Sequence, residues 1–149
     1  MRVVFSGLGA LPELSSRMAR ARARLANFRA LHRSGGRALL NWIGRNFESE
    51  GRLGSGGPGG WPPLSNATLA ARRRRGGRGG SMLVVSGRLK KGTNIQTDGG
   101  QARIFNPVPY ASAHQFGLGV PRRPFFPGPR QTRAIVQPVL ERFVEEALS

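Results

Sequence analysis

Apolar residues recur with helical spacing near the start of the chain. Leu14, Met18, Ala21, Leu25 and Phe28 follow one another at intervals of four and three and make one apolar stripe. Arg17, Arg20, Arg22, Arg24 and Arg29 occupy the other faces. Pro12 and Glu13 suit the first turn of this helix, where proline is tolerated and an acid meets the dipole. Ser34-Gly35-Gly36 is expected to break or kink it. A second helix follows, with Leu39, Leu40, Ile43 and Phe47 on one face, ending near Gly51. A third apolar helix covers about Gln131 to Leu148, with Ile135, Val136, Leu140, Phe143 and Ala147 inward and Pro138 kinking it or marking a late start. Between the helical ends, Thr93–Thr97 and Ala102–Phe105 have strand character, and Asp98-Gly99-Gly100 supplies a tight hairpin turn. Arg2–Phe5 reads as a further short strand, Met82–Val85 as a short apolar run, and Tyr110–Phe116 as a short helix.

The remaining stretches are loop. Residues 51–60 are mostly Gly with Ser and Pro. Ser65 is placed to cap a helix through Thr68, Leu69 and Ala71. That helix is expected to dissolve into a flexible basic loop over 72–80, whose nine residues hold five Arg and four Gly. An extended, Pro-rich arm spans 117–130.

Length and composition narrow the class. At 149 residues the chain suits a single domain, 1–149, with a modest core. Of its 24 basic residues only Lys90 and Lys91 are lysines, and against 7 acids the net charge is +17. Arg forks grip phosphates and carboxylates in pairs, so a partner rich in either is expected. Three of the acids, Glu141, Glu145 and Glu146, cluster near the end, and between Gly51 and Leu140 the only acid is Asp98. This polarity suits head-to-tail contacts between identical subunits. There is no cysteine, which excludes disulfides and thiolate catalysis. No apolar run approaches the roughly 20 residues of a membrane helix, and the apolar part of the N-terminus is too short for a signal peptide. A soluble protein without cofactor or metal is expected.

Five groups of residues could carry function. Trp61, in Gly60-Trp61-Pro62-Pro63-Leu64-Ser65, reads as an aromatic plug closing a loop onto the core, or as an anchor at a subunit interface. His114 and His32 are the only histidines, and neither sits in a metal-ligand or acid–base spacing. His114, between Tyr110 and Gln115, reads as a hydrogen-bonded packing residue. Ser86-Gly87 reads as a turn cap. Arg72, Arg73, Arg74, Arg75 and Arg78 offer phosphate contact without sequence preference, or a solvated loop, or contact with an acidic partner. Arg123-Pro124-Phe125-Phe126 places two adjacent rings on an extended chain, which cannot both face one core. One is expected at home and the other against a neighbouring subunit.

Trp61-Pro62-Pro63-Leu64-Ser65, Ser86-Gly87, Tyr110-Ala111 with His114-Gln115-Phe116-Gly117, and Arg123-Pro124-Phe125-Phe126, in this order, resemble the phage virion morphogenesis family, the Mu G-like tail completion proteins. The Gly-rich insert at 54–60 and the Arg-Gly loop depart from that pattern. The resemblance implies a structural virion protein rather than an enzyme: a neck ring, usually sixfold, that joins tail to head, contacts neighbouring neck and tail proteins, and surrounds packaged double-stranded DNA. It places the protein in the virion, and in the host cytoplasm during assembly. The alternative is a basic, sequence-independent nucleic-acid-binding protein with no virion role. The fold expected is α+β, a small antiparallel sheet packed against a long N-terminal helical element and a C-terminal helix, with long Gly/Arg-rich loops.

Overall fold

The computed structural model describes residues 11–54, 59–75, 82–98 and 100–149. The strand read at 2–5 and the residues Arg78 and Gly99 lie outside these. The fold is α+β, as expected. Its helices are α1 (Leu11–Leu25), α2 (Phe28–Glu48), α3 (Asn66–Arg74), α4 (Arg88–Lys91), α5 (Ala111–Phe116) and α6 (Pro129–Leu148). The strands β1 (Asn94–Thr97) and β2 (Ala102–Phe105) pair antiparallel, with Ile95 opposite Ile104 and Thr97 opposite Ala102. Asp98 closes the hairpin. Its Oδ1 accepts from the backbone N–H of Gly100 and Gln101, each at 2.8 Å.

Helix α2 is the spine. Trp42, Ile43, Asn46 and Phe47 are buried on one face of it, and it packs against α6 and both strands. The expected break at Ser34-Gly35-Gly36 is not there: α2 runs through these residues, and the chain breaks at Ala26-Asn27 instead. Gly36 serves close approach. A Cβ on Gly36 would overlap Ile95 Cδ1 of the hairpin, and one on Gly35 would sit 3.7 Å from Val136 Cγ1 of α6. The missing side chain of Gly36 brings the hairpin onto the helix, whereas Gly35 leaves ordinary contact distance to α6, and the surrounding contacts offset glycine's poor helix propensity of about 1 kcal/mol.

The core joins Trp42, Ile43 and Phe47 of α2 to Trp61, Leu89, Ala111 and Phe125, with Ile104, Val108, Phe126 and Ile135 packed against it. The apolar stripe of α1 departs from expectation. Ala21 and Leu25 are half-buried, but Leu14 and Met18 are 53% and 65% exposed, and Phe28, which the structure places at the start of α2, is 50% exposed. The reason is that α1 packs on α6 only near its C-terminal end, where the Arg24 guanidinium donates to the Glu146 carbonyl at 2.9 Å. Leu140, expected inward on α6, is also exposed. Pro138 neither ends nor delays α6, which starts at Pro129 and stays helical through it, the proline lying on an exposed position.

Candidate functional site

The geometry of this molecule's centre starts with the end of α2. Glu50 takes a positive φ of 53° and Gly51 one of 87°. A Cβ at Gly51 would overlap the Trp61 indole, so this glycine makes room for the ring. The Glu50 carbonyl accepts from Trp61 N at 2.7 Å, and its Oε1 accepts from Met82 N at 3.0 Å. One strained residue thus ties together the two chain segments that follow α2. Trp61 is 2% exposed and meets Phe47 edge-on at 5.5 Å. The plug reading holds for this chain.

The Trp61 block and the Arg123 block then latch onto each other. Trp61 Nε1 donates to the Pro124 carbonyl at 2.8 Å. In return Arg123 donates through Nε to the Pro62 carbonyl and through Nη2 to the Pro63 carbonyl, each at 3.0 Å. A planar guanidinium matches two successive carbonyls in a way a lysine could not. Helix α5 holds the same segment from its other side. Arg123 N donates to the His114 carbonyl at 2.8 Å, and Gln115 Oε1 accepts from both Phe125 N and Phe126 N at 3.0 Å.

That double acceptance corrects the reading of the two phenylalanines. The chain bends at Phe126, so the rings do not alternate as on a strand. Phe125 is 1% exposed, Phe126 is half-buried, and both pack on one core, 4.8 Å apart. Arg123 and Pro124 are buried as well. These four residues are engaged within the subunit rather than held out as a contact surface.

Beside the latch lies an open cavity of about 520 Å³. Leu64, Ser65 and Thr68 at the start of α3 form one wall, Leu83, Val85 and Leu89 another, and Tyr110, His114, Val120 and Arg123 the third, with Arg72 completing the lining. Ser65 caps α3 as expected, its hydroxyl accepting from Thr68 N at 3.2 Å. Ser86 Oγ accepts from Arg88 N at the start of α4, the turn-capping role expected of it. His114 packs edge-on to Tyr110 at 6.0 Å, and among the described residues its buried Nδ1 has no hydrogen-bond partner. Burial, and then the Arg123 charge, push its pKa below the usual imidazole value. Burial likewise lowers Arg123, with a smaller contribution from the Arg72 charge.

The basic segment is more ordered than expected at its start. Arg72, Arg73 and Arg74 form the last turn of α3 and Arg75 its C-cap, where cations meet the negative end of the helix dipole. Arg72 is half-buried against the cavity, while Arg73, Arg74 and Arg75 are exposed. Sequence reasoning missed Glu50 and Asn106. Asn106 donates through Nδ2 to the Leu89 carbonyl at 2.7 Å and to Thr93 Oγ1 at 3.0 Å, stitching α4 to the hairpin. Its place before Pro107 marked a turn, but nothing local marked Glu50. Among the described residues no three His, Asp or Glu side chains gather as a metal site would require, and no helix is long and apolar enough to cross a membrane.

Comparison with known proteins adds identity to this geometry. The family model described as the phage virion morphogenesis family matches residues 10–142, which include every segment of the latch. An uncharacterized protein of Methanocaldococcus jannaschii is 30% identical over 93 residues, covering 57% of this chain and 68% of that protein. No solved structure matches the chain.

Proposed function

The chain belongs to the phage virion morphogenesis family, and on that premise we propose that it is a tail completion protein of the virion neck, a ring that joins the tail to the head. The observation that supports this most is where the motif residues go. Trp61, Arg123, Gln115 and Phe125 are spent on latching one backbone segment to another, which is the chemistry of a rigid building block. We read the protein as having no catalytic activity of its own. Six copies, matching a sixfold tail tube, would surround the DNA channel, between neighbouring neck and tail proteins.

The test is genetic and structural. Phage grown without this protein is expected to accumulate heads and tails that do not join. Reconstruction of complete particles is expected to show a ring of copies at the neck. Normal tailed particles in its absence, or a single copy per particle, would overturn the reading.

A second reading, sequence-independent nucleic-acid binding, draws on the net charge of +17 and the exposed Arg73, Arg74 and Arg75. Phosphate contact makes the logarithm of affinity fall linearly with log salt, by about 0.9 per phosphate neutralised. Replacing Arg73, Arg74, Arg75 and Arg78 by Ser flattens that slope if they touch DNA. Arg72 is left in place because it is half-buried in the cavity wall. Unchanged slopes would assign the charge to an acidic protein neighbour instead.

A further inference from the structure

Two exposed helical faces in this molecule are complementary to each other and are not packed together within it. The first is the start of α1. Residues 12–20 are all exposed, and Leu14 and Met18 continue the stripe whose other end, Ala21 and Leu25, is half-buried. Arg17 and Arg20 lie along one edge of it, with Glu13 between them. The second is the outward side of α6. Leu140, Glu141, Glu145 and Leu148 recur there at spacings of one, four and three, and all four are exposed. At 100° per residue they span less than half the helix circumference, beside the side that carries Phe143 and buried Ala147, with Leu140 at the border next to Ala147. Each face is an apolar stripe edged by charge, net positive on the first, where Arg17 and Arg20 outnumber Glu13, and net negative on the second, where Glu141 and Glu145 outnumber Arg142. Among the described residues Arg17, Arg20, Glu141 and Glu145 take part in no ion pair.

We propose that these faces meet between copies: the start of α1 of one subunit lies along the outward face of α6 of the next. Leu14 and Met18 cover Leu140 and Leu148, while Arg17 and Arg20 approach Glu141 and Glu145. The inference rests on the ring reading and specifies its contact. Because the two surfaces are different patches of one chain, the contact is head-to-tail, and repetition closes a ring or extends a filament. It also explains why a stripe with core periodicity stays in solvent in a single subunit. The +17 charge makes a second copy a poor partner almost everywhere else. Glu141, Glu145 and Glu146 are three of only seven acids, and an arginine-edged helix of the same chain finds its opposite charge there.

The chain has no cysteine, so introduced thiols report proximity cleanly. Two pairs, Met18→Cys with Leu140→Cys and Met18→Cys with Leu148→Cys, cover both directions in which the helices can lie. In assembled particles, oxidation of at least one pair is expected to give a ladder of multiples of the subunit on a non-reducing gel. Each single variant is expected to stop at a dimer or below. In parallel, the double reversal Arg17→Glu with Arg20→Glu is expected to reduce ring incorporation at least tenfold, and adding Glu141→Arg with Glu145→Arg to restore it. Several copies at the neck with no ladder from either pair, or a reversal that the second pair does not rescue, would overturn this contact while leaving the ring reading intact. A single copy per particle would overturn both.

Discussion

Trp61 and Met18 are both large apolar side chains beside strongly polar or proline-rich neighbours, yet one is 2% exposed and the other 65%. The difference lies in how many chain segments reach each of them. Trp61 sits over Gly51, meets the edge of Phe47, and is hydrogen-bonded to the 124 carbonyl from the far end of the chain. Met18 belongs to a helix that touches the body at one end only. A helical stripe is covered where another element lies along it and stays open elsewhere, however regular its spacing. The latch is where this protein spends its apolar surface on its own fold. The start of α1 and the outward side of α6 are where it keeps apolar surface for something else.

The largest effect that separates the two regions comes from truncating each side chain. Trp61→Ala is expected to cost about 3–5 kcal/mol, the range for a buried aromatic that leaves a cavity. Met18→Ala in the isolated subunit is expected to stay within about 0.5 kcal/mol, as for a surface change. Chemical denaturation of the two variants measures both. Equal losses would mean that α1 is covered in the single subunit and that the comparison fails.

The next effect tests how the latch holds its backbone. Gln115→Ala leaves the N–H groups of Phe125 and Phe126 without their shared acceptor. A loss of roughly 1–3 kcal/mol is expected, the cost of stranding a partly buried donor. Gln115→Glu keeps an acceptor oxygen in place and is expected to lose less. If both variants unfold at the wild-type denaturant concentration, the segment is held by ring packing alone.

The smallest effect depends on pH and belongs to the cavity beside the latch. The pKa of His114 is lowered from 6.5, first by burial and then by the Arg123 charge. As pH falls, the unfolded chain therefore takes up the proton before the folded one does. The stability contributed is full above 6.5 and is lost as pH falls from there towards the depressed folded value. His114→Gln is expected to flatten the fall in melting temperature over that window while changing it little above. An unchanged pH profile in the variant would assign the slope to another group.

Much of the fold was legible from local chemistry. The hairpin register follows from Asp98 and the strands on either side of it, and the ends of the C-terminal helix lie within two residues of where the sequence placed them. The candidate site was legible as a set of motif blocks but not as an arrangement. The two phenylalanines looked like residues facing opposite ways because an extended chain alternates its side chains. A single Gln115 side chain removes that alternation by drawing two consecutive N–H groups to one oxygen. Gly35 and Gly36 looked like a helix break because glycine is a poor helix former. The value of Gly36 lies in the approach of Ile95, which is invisible until the hairpin is in place.

The sequence by itself determined the features whose interactions close within a few residues: the Ser65 cap with Thr68, the Asp98 turn with Gly100 and Gln101, and the start of α6 at Gly128 with Gln131. It also determined the charge and the four motif blocks that mark the family. Tertiary structure alone decided which apolar stripes are covered, where Arg123 spends its guanidinium, and that Glu50 ties residues 61 and 82 to the end of α2. Those outcomes depend on partners as far as 122 residues away along the chain. Hydrophobic periodicity specifies that a face needs cover, and only the packing of distant segments specifies what covers it.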